Sequence, residues 1–427
     1  MGLSGGGLIL LFSVAAVHSA ATTGFAAPFS PRPSSLFLSN RRVLSPWPAP
    51  RNGRSAIAAT GGGAEGFAGW RMAGGEARIP LVTYNVLSSS LCEPSFYTNS
   101  DPEALDPDAR LVRVLAKLEG EVRSKSIICL QEISRSWSGE LHTFFAQRGY
   151  HFVHSAYGGQ RNGFMGVSVA FPISEYDITN TSMDRVSNFK AWPRAPKPGA
   201  LSRFGSAIVG VYRKIRGRRP PIDPWNDAMK RHNCLVYVRL VHKVSGKPFH
   251  LATYHMPCQF RVPSVMTIHA ALVQQRLHEL AGEEPLIWCG DFNVMPGDGP
   301  YKLITEGSLD PEHEAFPPPR SHDSWEPTVP MSLVSAYKQK LGDEPAFTNW
   351  AQTRKSPPFI GTLDYVFMSE GCRAVELSPV PTTMPREDGV ARGGQLKGAV
   401  KGMYGGPFPT TEEPSDHLMV GATVELP

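Results

Sequence analysis

The sequence predicts an α/β (α+β) fold in which β-sheets are covered by helices. Three observations carry that expectation. Short apolar runs of strand length recur from residue 78 to the end, segments with apolar residues at helical spacing are inserted among them, and no repeat of 20–50 residues organises either kind. "RIPLVTYNVLS" (78–88) reads as the first strand, rich in β-branched and aromatic residues. "DPDARLVRVLAKLEGEVRS" (106–124) reads as a helix capped by Asp106 and opened by Pro107. "SIICLQEI" (126–133) is a buried strand, and "SGELHTFFAQRG" (138–149) a helix ended by Gly149. Further strands are expected at 166–172, 234–243, 249–257, 285–294, 362–369 and 417–426, with a long helix at 264–282 between two of them. Two stretches break the rhythm: 173–230, rich in Pro and basic residues, and 371–414, rich in Gly and Pro. Loops of that length in a compact domain are usually functional or mobile.

Composition bounds the rest. The chain has 427 residues, 41% hydrophobic and 19% charged, enough for one large globular domain with extensions. The net charge of +5 points toward polyanions only superficially. Residues 1–64 hold five arginines (Arg32, Arg41, Arg42, Arg51, Arg54) and no acid; setting them aside leaves 38 basic residues against 38 acidic ones. Bulk charge therefore assigns no partner to the remainder, and only local patches can. Six dispersed cysteines argue against a zinc centre or a disulfide scaffold. Cys129, Cys234 and Cys289 lie in or beside apolar runs and are expected as buried thiols.

The N-terminus reads as an address. Residues 1–24 read as signal peptide-like, an apolar run followed by small residues that is too short for a good membrane span, so no stable membrane insertion of the mature protein is expected. Residues 25–60 are rich in Ser, Pro and Arg without acids, as transit peptides are. The "GFAAPF" junction (24–29) resembles the bipartite presequence of proteins sent to plastids bounded by extra membranes. The expected destination is the plastid, with the mitochondrion or secretory pathway as alternatives. Residues 61–77 read as a linker, leaving 78–427 as the main folded domain, with insertions near 173–230 and 371–414.

The chemistry sits at the strand ends. Asn85 follows "LVTY", Glu132 follows "IICLQ" and His255 follows "HLATY". Asp291 and Asn293 follow "LIWCG", Asp364 lies in "TLDYVF", and Asp416 and His417 open the last strand. A carboxylate leaving a buried strand is desolvated unless a cation or donor meets it. Their common placement predicts one pocket at one rim of the sheets. Oxygen donors from Asn85, Glu132 and Asp416 suit magnesium or manganese. Asp291 can take a proton from water, while Asn293, at i+2 on the same strand face, holds that water or a phosphate oxygen. Together these groups fit metal-assisted displacement at phosphorus.

Six segments in order, "TYNVLS" (83–88), "CLQEI" (129–133), "TYHMP" (253–257), "GDFN" (290–293), "TLDYVF" (362–367) and "PSDHLMV" (414–420), resemble the endonuclease/exonuclease/phosphatase superfamily over roughly 78–427. The resemblance implies a four-layer αββα sandwich: two central mixed β-sheets flanked by helices, with the site at one rim. It implies Glu132 as main metal ligand, assisted by Asn85 and Asp416, for Mg2+ or Mn2+. Asp291 would activate water and Asn293 hold it. His417, oriented by Asp364, would contact the scissile phosphate, and His255 would help stabilise the transition state.

Within the superfamily, "LVSAYKQKLGDEPAFTNW" (333–350) and "FIGTLDYVF" (359–367) resemble the branch of deadenylases, nocturnin and 2',5'-phosphodiesterases. That branch implies Phe359 as a base-stacking residue. It makes an RNA 3' exonuclease the leading expectation. A phosphomonoesterase on a small nucleotide such as NADP 2'-phosphate, or a catalytically silent nucleotide-binding module, are the alternatives. "HMPCQFRVP" (255–263) departs from the Trp-Asp-Pro-like stretch of deadenylases, and no leucine-rich-repeat recruitment module is expected before the domain. Arg213 and Arg216, in "YRKIRGRRP" (212–220), are candidate grips for a phosphodiester backbone, against the alternative of a solvated insertion.

Overall fold

The computed structural model describes residues 76–196, 222–354, 357–384, 390–392 and 403–427. The segments 1–24 and 25–60, nearly all of 61–77, and Arg213 and Arg216 lie outside the described residues.

The strands are β1 (Arg78–Asn85), β2 (Ile127–Ile133), β3 (Tyr150–Ala156), β4 (Gly166–Pro172), β5 (Tyr176–Arg185), β6 (Cys234–His242), β7 (Pro248–His255) and β8 (Leu286–Asp291). Then come β9 (Val334–Ser335), β10 (Asn349–Ala351), β11 (Phe359–Gly361), β12 (Asp364–Met368), β13 (Arg373–Leu377), β14 (Val390–Arg392), β15 (Met403–Gly405) and β16 (Val420–Glu425). Two six-stranded sheets result, ordered β13-β16-β1-β2-β4-β3 and β5-β6-β7-β8-β12-β9. Both are mixed: β1–β2 and β7–β8 pair in parallel, and their other neighbours antiparallel.

Three apolar clusters make the layers. Ile79, Leu81, Val167 and Val169 of the first sheet meet Val236, Val238, Leu251 and Val366 of the second. The outer face of the first sheet (Val82, Tyr84, Ile128, Leu130) packs on helices Pro107–Arg123 and Arg135–Ala146 through Val114, Leu118, Leu141 and Phe145. The outer face of the second (Tyr237, Tyr254, Trp288, Phe367) packs on helix Pro263–Ala281. This is the four-layer sandwich. Among the described residues no helix is long and apolar enough to cross a membrane.

Four sequence expectations shift. The stretch 173–230 contains β5, an edge strand with a largely exposed "DITNTSMDR" face, and the helix Pro224–Lys230. An edge strand sees solvent, so it lacks the apolar run that marks a central one. In the same way β13, inside 371–414, is the other sheet's edge. The helix expected at 138–149 begins at Arg135 and carries Trp137 on its buried face. None of the six cysteines forms a disulfide, and Cys234 is half-buried rather than buried.

One buried histidine makes the fold acid-sensitive. His269, on helix Pro263–Ala281, takes a hydrogen bond at Nδ1 from Tyr254 (2.7 Å) and donates from Nε2 to the Ala228 carbonyl (3.1 Å). Burial lowers its pKa from 6.5 to about 4. The unfolded chain therefore binds a proton that the fold excludes. Stability is full above pH 6.5 and is lost as pH falls from 6.5 to about 4. The loss amounts to roughly 3 kcal/mol. Thermal melts of wild type should drop more steeply over that window than melts of His269→Gln; equal slopes would place the sensitivity elsewhere.

Candidate active site

The topology carries the strand ends to one rim. In each parallel pair a helix crossover returns the chain so that both strands point the same way. The C-terminal ends of β1 and β2 then lie together, as do those of β7 and β8. Asn85 is paired in register with Gln131, the residue before Glu132, and His255 with Asp291. β12 runs antiparallel to β8, so its first residue, Asp364, lies opposite Asp291. β16 runs antiparallel to β1, so the segment before it, with Asp416 and His417, arrives at the same rim, where Ser415 Oγ donates to the Asn85 carbonyl (2.6 Å). Open α/β sheets place ligand sites at such carboxyl ends of parallel strands.

Gly290 makes the closest approach possible. A Cβ there would stand 2.0 Å from the Tyr254 carbonyl oxygen, so only glycine lets β8 lie against β7 at the level of His255 and Asp291. Backbone strain marks the same rim. Leu87, Glu132 and Asn293 hold left-handed φ values of 51°, 60° and 51°. The β2–β4 pairing shifts register between Leu130 and Ile133, an irregularity that re-aims Glu132. Each such residue costs about 1–3 kcal/mol.

The side chains interlock. Asp291 Oδ2 accepts from Asn85 Nδ2 at 2.9 Å, and Asp291 Oδ1 accepts from the Asn293 backbone N–H at 2.9 Å. His255 Nε2 lies 3.3 Å from Asp291 Oδ2 and 3.9 Å from Glu132 Oε1. His417 Nδ1 donates to Asp364 Oδ2 (2.8 Å), and its Nε2 lies 3.7 Å from Asp291 Oδ2. Thr348 holds Asp364 in turn, donating its hydroxyl to Oδ2 at 2.6 Å. Asn293 Nδ2 donates to the Met256 carbonyl, leaving the Asn293 side-chain oxygen as its free end.

Electrostatics follows from this packing. Burial, reinforced by the neighbouring Asp364 charge, raises the Asp291 pKa, against the pull of His417, His255 and Asn85. For His417 burial disfavours the imidazolium, yet the Asp364 and Asp291 charges and the Asp364 hydrogen bond outweigh it and raise its pKa well above the ordinary value. The rim thus holds a buried carboxylate beside an imidazolium.

Oxygen donors suited to a divalent ion are present in two places. Donor atoms of Asp291, Asp364 and His417 all lie within 4.8 Å of one another, a group that could hold an ion. There, however, both ring nitrogens of His417 already face carboxylates. The other place is the flank of Asp416 and Glu132. Asp416 Oδ2 accepts from Tyr97 (2.8 Å), while its buried Oδ1 has no hydrogen-bond partner among the described residues. Glu132 Oε2 accepts from the Ser88 N–H (3.1 Å), and the charges of both Asp416 and Glu132 act on the Tyr97 phenol. An orphaned buried carboxylate oxygen, in a region where a second carboxylate also acts on the same phenol, fits an oxygen-preferring cation. Phe359 opens β11, half-buried; its partner strand β10 bridges to His417 through Asn349.

Two participants escaped the sequence reading. Arg110 is fully buried and donates to the carbonyls of Pro414 (2.6 Å), Val86 (2.7 Å) and Leu87 (2.6 Å). It clamps the segment after Asn85 to the segment before Asp416. A signal existed: Arg110 shares the buried i, i+4, i+8 stripe with Val114 and Leu118. Tyr157, whose hydroxyl reaches His255, left no trace in the local pattern.

Comparison with known proteins shows the family and the fold. The chain is 23% identical over 397 residues to the CCR4-Not complex 3'-5'-exoribonuclease subunit Ccr4 of Schizosaccharomyces pombe, covering 82% of this chain and 49% of that protein. It is 25% identical over 326 residues to human 2',5'-phosphodiesterase 12, covering 72% of this chain and 48% of that one. The chain thus spans about half the length of these relatives. The structure of ANGEL2, a 2',3'-cyclic phosphatase, in complex with adenosine-2',3'-vanadate shares the fold, with a TM-score of 0.57 at 18% identity, over 82% of this chain and 96% of that one. Residues 82–417, which contain every strand-end group described above, match the Endonuclease/Exonuclease/phosphatase family, and the chain belongs to that family.

Proposed function

We propose that the protein is a Mg2+-dependent phosphodiesterase that shortens RNA from its 3' end. The observation that carries this reading is the meeting of Asp291, His255, Asp364 and His417 at the strand-end rim, linked by contacts of 3.3 Å (His255–Asp291), 3.7 Å (Asp291–His417) and 2.8 Å (His417–Asp364). Similarity to an exoribonuclease subunit supports RNA as the substrate class. Asp291 takes the proton of the attacking water; its raised pKa moves it toward working pH, where a general base is most effective. Asn293 orients that water with its free side-chain oxygen. His417, kept protonated by Asp364, and His255 Nε2 stabilise the charge that develops on the phosphoryl oxygens. Glu132 and Asp416, with Asn85 behind them, would hold the divalent ion, which when bound polarises the phosphoryl oxygen. Phe359 offers an aromatic face for the terminal base.

The test is incubation of the full chain with Mg2+ and poly(A) RNA, mixed-sequence RNA, abasic DNA and NADP. Stepwise loss of 3' nucleotides from RNA, abolished by EDTA and restored by Mg2+, is expected. Phosphate release from NADP with RNA left intact would overturn the RNA assignment in favour of a small-nucleotide phosphatase.

A further inference from the structure

Tyr157 lies just past β3, in the connection to β4, with its backbone N–H held by the Met165 carbonyl (2.9 Å). Its hydroxyl is 2.6 Å from His255 Nδ1, and the two rings meet edge to face at 76°. Among the described residues that nitrogen is the hydroxyl's one hydrogen-bond partner. A phenol at neutral pH carries its hydrogen, and a half-buried hydroxyl with one neighbour donates to it. Nδ1 is then the acceptor and the ring proton resides on Nε2. The far side of the ring agrees independently. Nε2 faces two acceptors, Asp291 Oδ2 at 3.3 Å and Glu132 Oε1 at 3.9 Å, and no donor among the described residues. A ring with a donor at one nitrogen and carboxylates at the other has one favourable neutral tautomer. The backbone is fixed as well, since Asn233 Nδ2 donates to the His255 carbonyl at 2.7 Å.

The same connection is tied to the opposite flank of the site. Ser88 Oγ donates to the Asn162 carbonyl (2.9 Å), and the Ser88 N–H donates to Glu132 Oε2 (3.1 Å). The segment 157–162 therefore touches His255 at one end and, through Ser88, Glu132 at the other.

We propose that Tyr157 is the positioning residue of His255: its hydroxyl donates to Nδ1, fixes the Nε2–H tautomer and aims that N–H at the phosphoryl side of Asp291 and Glu132. The inference rests on the reading of His255 as a group of the proposed hydrolase. Its consequence is a rate effect without a binding effect, because Tyr157 acts through the imidazole.

The experiment uses the full chain labelled with 15N-histidine, in wild-type and Tyr157→Phe forms, read by long-range 1H–15N correlation. The His255 signals should show the Nε2–H form in wild type and a mixture of tautomers in Tyr157→Phe, which keeps the ring and its packing. On RNA, Tyr157→Phe should lower kcat by about 10–100-fold, the range for loss of an outer hydrogen bond to a functional histidine. KM should stay within about twofold. In a His255→Gln background the same substitution should add no further loss. An unchanged imidazole pattern in Tyr157→Phe overturns the proposal, as does a changed pattern with wild-type kcat. A wild-type rate in His255→Gln instead overturns the wider reading of the site, so the two failures are distinguishable.

Discussion

Asp291→Asn should lower kcat on RNA by about 10²–10⁴-fold, the usual contribution of a positioned general base. The residue is buried at the end of β8, and its two oxygens are held by Asn85 Nδ2 and the Asn293 N–H. Asparagine keeps the size and one acceptor but cannot take a proton from water. Its amide must also turn an N–H toward either Asn85 Nδ2 or the Asn293 N–H, both donors, which loosens the site. The fold should survive, because burial already raises the Asp291 pKa and a neutral side chain is easier to desolvate. Loss of the Asp291 charge also removes one of the two carboxylates that hold His417 protonated, so the His417 pKa should fall. The checks are single-turnover rates, RNA affinity by fluorescence anisotropy, and thermal melts. Turnover within tenfold of wild type would remove Asp291 from the role of base.

Arg110→Ala should be the most damaging substitution outside the reacting groups. It leaves the carbonyls of Val86, Leu87 and Pro414 without their donor, and each buried unsatisfied group costs about 1–3 kcal/mol. It also empties the space where the guanidinium lies 5.1 Å from the centre of the Trp137 ring. The expected loss is about 3 kcal/mol or more, read from urea unfolding. Activity should fall with it even where the protein remains folded, because Asn85 on one side and Asp416 and His417 on the other lose their common tether. Arg110→Lys should recover only part of both, since an ammonium on a flexible stem cannot serve these carbonyls with the fixed fork of a guanidinium. Wild-type melts and turnover in Arg110→Ala would show that the clamp is dispensable.

Particular residues show how far the sequence could be read. β2 was legible because it opens on the unbroken apolar run "IICL", and β5 was not because its "DITNTSMDR" face meets solvent at a sheet edge. Glu132 was legible as a carboxylate at a strand tip. Its left-handed backbone was not, because that depends on β4 as partner. His255 was legible as a polar end to "HLATY", whereas its tautomer depends on Tyr157, 98 positions away. Arg110 could have been seen as a charge on a buried helical stripe; which carbonyls it binds could not.

The sequence by itself determined the inventory: apolar runs that fold as sheet and helix, and carboxylates, amides and imidazoles at the ends of those runs. These are local properties, set by side-chain period and by the few residues that begin or end an element. The tertiary structure alone decided that the inventory meets. Asn85 reaches Asp291 across 206 positions and His417 across 332, because parallel crossovers and antiparallel returns bring unlike strand ends to one rim. The protonation of His417, the tautomer of His255 and the clamp of Arg110 arise only there, where buried charges and donors from distant segments come within a few ångströms of each other.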